Sequence, residues 1–212
     1  MLKSFFKIAL GIIFLFVVSI ILLIIFSPYQ NNKDTGYKCI ALSIEISQPV
    51  EKVFAYLGNS KNASKWSVYV DHITTLNGDK IPDGGIGSTR RCFKEKNEKG
   101  IVWDEDIVEV IPNVKRRLSI YNAKGFPIIA EGILTEQLYK PLNDSTTHLT
   151  FTVFNKNSNP DFFTTIKTYF ASYSISDIFK SNLKNIKKCL ENEHSLNNPK
   201  TSRNIQTSKI LF

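Results

Sequence analysis

Ile40-Ala41-Leu42-Ser43-Ile44-Glu45-Ile46-Ser47-Gln48-Pro49-Val50-Glu51-Lys52-Val53-Phe54-Ala55-Tyr56-Leu57 is the stretch where the spacing of apolar residues changes. Up to Ile46 they alternate: Ile40, Leu42, Ile44 and Ile46 against Ala41, Ser43 and Glu45, the period of a half-buried strand. Beyond Pro49 they recur at three and four, through Val50, Val53, Phe54 and Leu57, the period of a helix. Ser47-Gln48-Pro49 breaks one pattern and starts the other. Proline is tolerated in a first helical turn because its missing N–H has no intrahelical partner there. The sequence therefore predicts a strand, a tight turn and a helix in quick succession.

Toward the C-terminus, Asn59 and Ser60 interrupt the helix and a short second one can run to Trp66. Six strand-like segments follow, at 70–76, 88–96, 101–111, 115–122, 127–139 and 146–155. Turn chemistry separates them: Asn77-Gly78 and a Pro/Gly-rich loop at 81–87, then Asn97 to Gly100, Pro112-Asn113, Gly125, and Pro141 to Asp144. Consecutive strands with short turns predict an antiparallel meander. The last element is helical, with Phe162, Phe163, Ile166, Tyr169, Phe170 and Tyr173 at three and four, continued by Ile178, Phe179, Leu183, Ile186 and Leu190. Ser174 and Ser176 suggest a kink between its halves. So apolar a stripe must be buried, and the sheet is the large partner for it. Residues 193–212 are rich in Asn, Ser, Thr and Lys and read as a disordered polar tail.

Toward the N-terminus, 29–36 is a short polar linker, and before it residues 8–26 are apolar except for Gly11 and Ser19. As a helix this run rises roughly 28 Å, against a hydrocarbon core of about 30 Å. A cleaved signal peptide is the competing reading, since Lys3 and Lys7 supply a basic start. The run exceeds the ~7–15 apolar residues of a signal, however, and Ser27-Pro28-Tyr29-Gln30 is no cleavage site. Residues 1–28 are therefore expected to be a transmembrane anchor and 37–192 one domain. Lys3 and Lys7 place the N-terminus in the cytoplasm and the domain outside the cell membrane by the positive-inside rule, with Lys33 and Lys38 reducing the bias.

The net charge of +8 is spread along the chain. Lys3, Lys7 and Lys33 outweigh Asp34 near the anchor, and Lys200, Arg203 and Lys209 outweigh Glu193 in the tail. The remaining mildly basic domain suits anionic headgroups. It lacks the dense basic and aromatic stripe of a nucleic-acid binder: Arg90-Arg91 and Lys115-Arg116-Arg117 lie in strands, where neighbours point to opposite faces. Cys39, Cys92 and Cys189 lack metal-ligand spacing and read as buried small side chains, with at least one thiol free and one disulfide possible.

The order strand, two short helices, six strands and a long helix resembles the helix-grip fold of the START-like (SRPBCC) superfamily, which includes polyketide cyclase and dehydrase type proteins. Local matches carry the resemblance. They are Ile44-x-Ile46-x-x-Pro49-x-x-Lys52-Val53-Phe54-x-x-Leu57, the tryptophan segment Asn62 to Trp66-Ser67, and the glycine-containing stretch Gly84 to Arg90. Trp103-x-Glu105-x-Ile107-x-Glu109-x-x-Pro112 and Leu183-x-x-Ile186-Lys187-x-x-Leu190-Glu191 complete them. The match spans nearly all of 37–192. It implies an α+β domain, a curved antiparallel sheet around a long C-terminal helix, here preceded by one transmembrane helix. It also implies a cavity between sheet and helix. The superfamily includes lipid carriers, hormone receptors and cyclases, so fold alone does not choose a function.

Alternation places Trp103, Glu105 and Ile107 on one strand face, Leu118 and Ile120 on the next, and Leu149, Phe151 and Val153 on the last. If those faces look inward, Glu105 is a carboxylate in apolar surroundings, a candidate general acid/base or ligand-orienting group. The alternative is an exposed carboxylate among Asp104, Asp106 and Glu109. Trp66 either caps the cavity or packs the short helices on the sheet. Phe162, Phe163, Phe170 and Tyr173 line the cavity or fill it. The expected ligand contacts are thus Trp66, Trp103, Glu105, Ile107, Leu118, Ile120, Phe151, Phe163 and Phe170. His72, His148 and His194 are dispersed, with no carboxylate partner evident. No Ser/His/Asp order, metal cluster or phosphate loop occurs, and Gly84-Gly85-Ile86-Gly87 leads into a strand. The expectation is a membrane-tethered binding module for a hydrophobic small molecule or lipid, without cofactor or nucleic acid. A cyclase, dehydratase or hydrolase using Glu105 and an interaction protein with a vestigial cavity are the alternatives.

Overall fold

The computed structural model describes residues 2–33, 36–126, 132–155 and 161–197. Its elements are α1 (Leu2–Ile25), β1 (Gln30–Asn31), β2 (Lys38–Ile46), α2 (Val50–Gly58), a 3-10 turn (Ser60–Asn62) and α3 (Ala63–Trp66). They continue with β3 (His72–Thr75), β4 (Thr89–Phe93), β5 (Val102–Ile111), β6 (Lys115–Lys124), β7 (Ile133–Asn143), β8 (Thr146–Asn155) and α4 (Phe162–Asn197). The strands form one antiparallel sheet in the order β1-β2-β8-β7-β6-β5-β4-β3. β2 closes onto β8 with Ile46 opposite Thr147 and Cys39 opposite Phe154. Register shifts in β5 between Val102 and Asp104 and between Ile107 and Glu109 add local twist and bend.

The opening strand-turn-helix forms as its periods require. Val50, Val53, Tyr56 and Leu57 are the buried face of α2, and Pro49 supplies carbonyl acceptance to Lys52 and Val53. The turn is fastened to the far end of α4. Gln48 Nε2 donates to the Leu190 carbonyl (2.9 Å), Ser47 N–H donates to Glu191 Oε1 (2.8 Å) and Thr147 Oγ1 donates to the Gln48 carbonyl (2.8 Å). Beneath, Ile46, Val53, Leu149, Ile186 and Leu190 are fully buried in one core with Phe151 and Leu183. Burying each such side chain stabilises by about 1.5–3 kcal/mol.

Gly84 holds the loop before β4 against α2. Its φ is +81°, and a Cβ there would lie 2.4 Å from the Gly58 carbonyl oxygen, so only glycine fits. Gly58 in turn makes room for the Arg116 guanidinium, 2.7 Å from where its own Cβ would be.

Several boundaries depart from the sequence reading. α4 is assigned as one helix through Ser174 and Ser176, where a kink was expected, and runs to Asn197. The tail beyond it lies outside the described residues, as does 127–131, where the fifth of the six strands was expected to begin. Part of the expected linker is structured: Gln30 and Asn31 pair with Cys39 and Lys38. α1 is long and apolar enough to cross a membrane over Phe5–Ile25, and none of its most apolar window is buried by the domain.

Candidate functional site

Between the concave sheet and α4 lies a cavity of about 350 Å³. Its sheet wall comprises Arg90 and Cys92 on β4, Trp103 and Glu105 on β5, Leu118 and Ile120 on β6, Ile133, Thr135 and Gln137 on β7, and Phe151 and Val153 on β8. Leu57, Ala63, Trp66, Tyr69, Val70 and Ile73 close one side. On α4 the wall is Ala171, Ser174, Ile175, Ile178, Phe179 and Asn182, an alternation of three and one that keeps one helical face inward. Among the lining residues, Asn59 and Ser174 are exposed.

The wall is mainly apolar, with uncharged polar groups at Asn59, Thr135, Gln137, Ser174 and Asn182, and it carries one ion pair. Arg90 Nε donates to Glu105 Oε2 at 3.0 Å, and Trp103 Nε1 donates to Glu105 Oε1 at 2.9 Å. The Arg90 side chain is 7% exposed and that of Glu105 12%. Burial by itself would lower the Arg90 guanidinium, but the Glu105 charge and hydrogen bond outweigh it, leaving Arg90 above its ordinary value. Opposite register explains the pairing: Arg90 faces Glu105 and Cys92 faces Trp103 across β4 and β5. Burial, reinforced by the Glu105 charge, pushes the Cys92 thiol well above its ordinary value, so it is not an activated nucleophile. Trp103 also packs with Phe126 (5.5 Å) and Tyr69 (6.0 Å).

A second buried guanidinium lies behind the wall. Arg116 sits 4.2 Å over the Phe54 ring and donates to the Gly84 and Phe54 carbonyls, Gln137 Oε1 and the Tyr139 hydroxyl. Burial holds Arg116 below its ordinary value and Tyr139 above its own. Gln137 connects this group to the cavity wall and accepts from the Tyr139 hydroxyl at 2.5 Å.

Of the nine residues expected from sequence, Trp66, Trp103, Glu105, Leu118, Ile120 and Phe151 meet around the cavity. Ile107 shares β5 with Trp103 and Glu105 but is buried outside the cavity wall, 1% exposed. Phe163 and Phe170 are not in it either: they are 73% and 47% exposed, and Phe162 is 72% exposed. Periodicity says which residues share a helix face, not what that face meets. A helix of 36 residues is ~54 Å long, far longer than a ten-residue strand of ~33 Å, so its first turns overhang the sheet. On the cavity stretch of α4, Ile178 and Phe179 belong to the apolar stripe read from the sequence, whereas Ala171, Ser174 and Asn182 carry little apolar signal.

Glu105 faces inward, which settles the choice between its two orientations. It is not a lone carboxylate, because Arg90 accompanies it. Arg90 itself was missed as a site residue, although its alternation with Cys92 and its position opposite Glu105 could have marked it. Trp66 both borders the cavity and packs on the sheet. It lies on the cavity wall, packs edge-on against Phe151 at 6.2 Å, and leaves its indole N–H buried without an acceptor. His72 does have carboxylate partners, Asp71 at 2.8 Å and Glu98 at 3.4 Å, on the surface beside Phe93. Among the described residues no disulfide joins the three cysteines, and Cys39 and Cys92 are buried. Among the described residues no cluster of His, Cys, Asp and Glu could hold a metal ion.

A curved antiparallel sheet gripping a long C-terminal helix over such a cavity is a helix-grip fold, as the resemblance implied. Solved structures share it across most of this chain. The di-domain ARO/CYC BexL from the BE-7585A biosynthetic pathway is similar with a TM-score of 0.57 at 12% identity, over 73% of this chain and 46% of BexL. XoxI from Bacillus cereus aligns with a TM-score of 0.53 at 17% identity, over 74% of this chain and 97% of XoxI. Ara h 8.0201 gives 0.53 at 14% identity, over 74% and 99%. No protein-family model and no curated protein matches the sequence.

Proposed function

We propose that this protein is a membrane-tethered binding module for a hydrophobic small molecule or lipid carrying one polar group. The observation that carries the reading is the mainly apolar cavity of about 350 Å³ with the Arg90–Glu105 pair on its wall. That volume is at the low end of the roughly 300–1,000 Å³ of small-molecule pockets, which pair apolar walls with a few placed polar groups. The unpartnered Trp66 indole N–H supports a ligand with an acceptor, since an unsatisfied buried donor costs about 1–3 kcal/mol. α1 supports the tether, because a helix this apolar and this exposed needs hydrocarbon around it. Its basic N-terminal flank favours an N-terminus in the cytoplasm and the domain on the far side of the cell membrane.

The test is to extract the full chain with its surrounding bilayer in polymer-bounded nanodiscs and identify what remains bound after washing. One apolar species per chain, lost when Ile178→Trp fills the cavity, is the expected result. An interior that excludes every apolar probe would overturn the reading in favour of an interaction protein with a vestigial cavity.

A second reading has one observation in its favour: Glu105 faces the cavity, as an acid/base catalyst of cyclase, dehydratase or hydrolase type requires. Both of its oxygens, however, hold protein donors, which suits orienting a ligand better than exchanging protons with it. Glu105→Gln separates the two. Binding retained with product formation abolished indicates an enzyme; binding weakened with no product from either chain indicates a carrier.

A further inference from the structure

The end of α1 is fastened to α4 by side chains. The Ser27 and Ser172 hydroxyls meet at 2.8 Å in a buried contact. Tyr173 donates its hydroxyl to the Leu23 carbonyl at 2.8 Å, and Leu23 belongs to the apolar span Phe5–Ile25 itself. The Tyr29 ring packs edge-on against Tyr169 at 5.7 Å, and Lys38 Nζ donates to the Tyr169 hydroxyl at 2.7 Å. Tyrosines with a long basic side chain beside them are the residues that occupy a membrane's headgroup layer, where a ring can be half in hydrocarbon and its hydroxyl wet.

The same helix carries an exposed aromatic patch. Phe163 and Phe170 are seven residues apart and so share a face, with Phe162 adjacent, and all three are exposed. Phe170 lies one turn from Tyr173, about 4.5 Å of helical rise. Ala171 and Ser174 flank the two residues that hold α1, and both line the cavity. One short length of α4 therefore bears the anchor attachment, the exposed aromatics and part of the cavity wall.

We propose that the first turns of α4 rest in the headgroup layer of the bilayer that α1 spans, with Phe162, Phe163 and Phe170 against lipid, so that the cavity opens toward the membrane and takes an apolar ligand from it laterally. This rests on α1 being a membrane anchor. A second copy of the chain is the other occupant of such a patch. Lipid is favoured because α4 is bonded to the apolar span itself, through Tyr173 and the Leu23 carbonyl, one turn from the exposed Phe170. The Tyr173–Leu23 bond already holds α4 at the depth of the spanning segment's end.

The experiment uses the full chain in phosphatidylcholine vesicles. An environment-sensitive fluorophore is attached at Phe163→Cys in a Cys189→Ala background, Cys39 and Cys92 being buried. Val114, 50% exposed and bonded to Tyr139 at the opposite end of the sheet, receives the same label through Val114→Cys as control. Lipids brominated on their acyl chains should quench position 163 at least threefold more than position 114, and aqueous iodide should do the reverse. Quenching of both sites alike by iodide, in a chain that floats with the vesicles, overturns the proposal and leaves the anchor standing. A chain that does not float overturns the anchor reading itself. Shielding of position 163 that disappears on tenfold dilution of protein in lipid assigns the patch to a second copy and likewise overturns the proposal. Polar replacement of all three, as F162S/F163S/F170S, should slow uptake of a fluorescent fatty acid from vesicles at least fivefold with binding at equilibrium unchanged. An unchanged rate would contradict the lateral route.

Discussion

The two parts of α4 make one helix with two different jobs. From Leu183 onward it is an anchor for the fold: Leu183, Ile186 and Leu190 are at most 2% exposed, and Glu191 and the Leu190 carbonyl hold the turn after β2. Up to Asn182 it is a cavity wall, with Ala171, Ile175 and Ile178 facing space and Phe162, Phe163 and Phe170 facing out. The difference teaches where stability and function are divided. Close packing is concentrated at one end, and the other end is left under-packed, as a ligand site must be.

The division can be broken most forcefully by truncation. Ile186→Ala should cost about 2–5 kcal/mol, the usual range for a large-to-small change in a packed core, in urea unfolding of the chain. Ile175→Ala should cost less than about 1 kcal/mol, because fewer atoms pack against it, while changing ligand affinity. Equal costs at the two positions would erase the comparison. Next comes the polar group on the wall: Glu105→Gln removes the charge opposite Arg90 and should destabilise by about 1–3 kcal/mol. A ligand bearing an anionic group should recover part of that loss as a rise in Tm.

The outer face of the sheet provides a control for both. Arg91 points away from the cavity and donates to both carboxylate oxygens of Asp104, at 2.7 and 2.9 Å, and Asn122 adds a third bond. The Arg91 hydrogen bond holds the Asp104 carboxyl below the usual carboxylate range against the opposing effect of burial. A depressed carboxyl stabilises the fold above its unfolded value of ~3.9 and loses that contribution as pH falls through the lowered one. Asp104→Asn should therefore cost about 1 kcal/mol at neutral pH, flatten the acid limb of stability below about pH 4, and leave ligand binding unaltered. The smallest effect belongs to the exposed aromatics: Phe163→Ser should shift stability by no more than about 0.5 kcal/mol, measured by thermal unfolding.

Much of this was legible in the sequence where a pattern repeats. The period change at Pro49 produced β2 and α2, and Thr146–Asn155 forms a strand with the expected bounds. Alternation sent Arg90 and Arg91 to opposite faces, as their partners Glu105 and Asp104 show. What the pattern could not carry was the third dimension. Phe163 and Ala171 occur in one helical run, yet the aromatic faces out and the alanine lines the cavity, because the sheet ends before the helix does. The Arg90–Glu105 pair required knowing which strands are neighbours. Gly58 and Gly84 owe their identity to an approach between α2 and a loop distant in sequence, which no local spacing encodes.

The central claim is that the space beside the N-terminal part of α4 is a binding site for an apolar ligand. Titrating the full chain in nanodiscs with a fluorescent fatty acid, against the same chain carrying Ile175→Trp, tests it most directly. Saturable binding at one site per chain is expected, weakened at least tenfold by the bulky substitution while the unfolding temperature is held or raised. Equal binding by the two chains, or none by either, would contradict it.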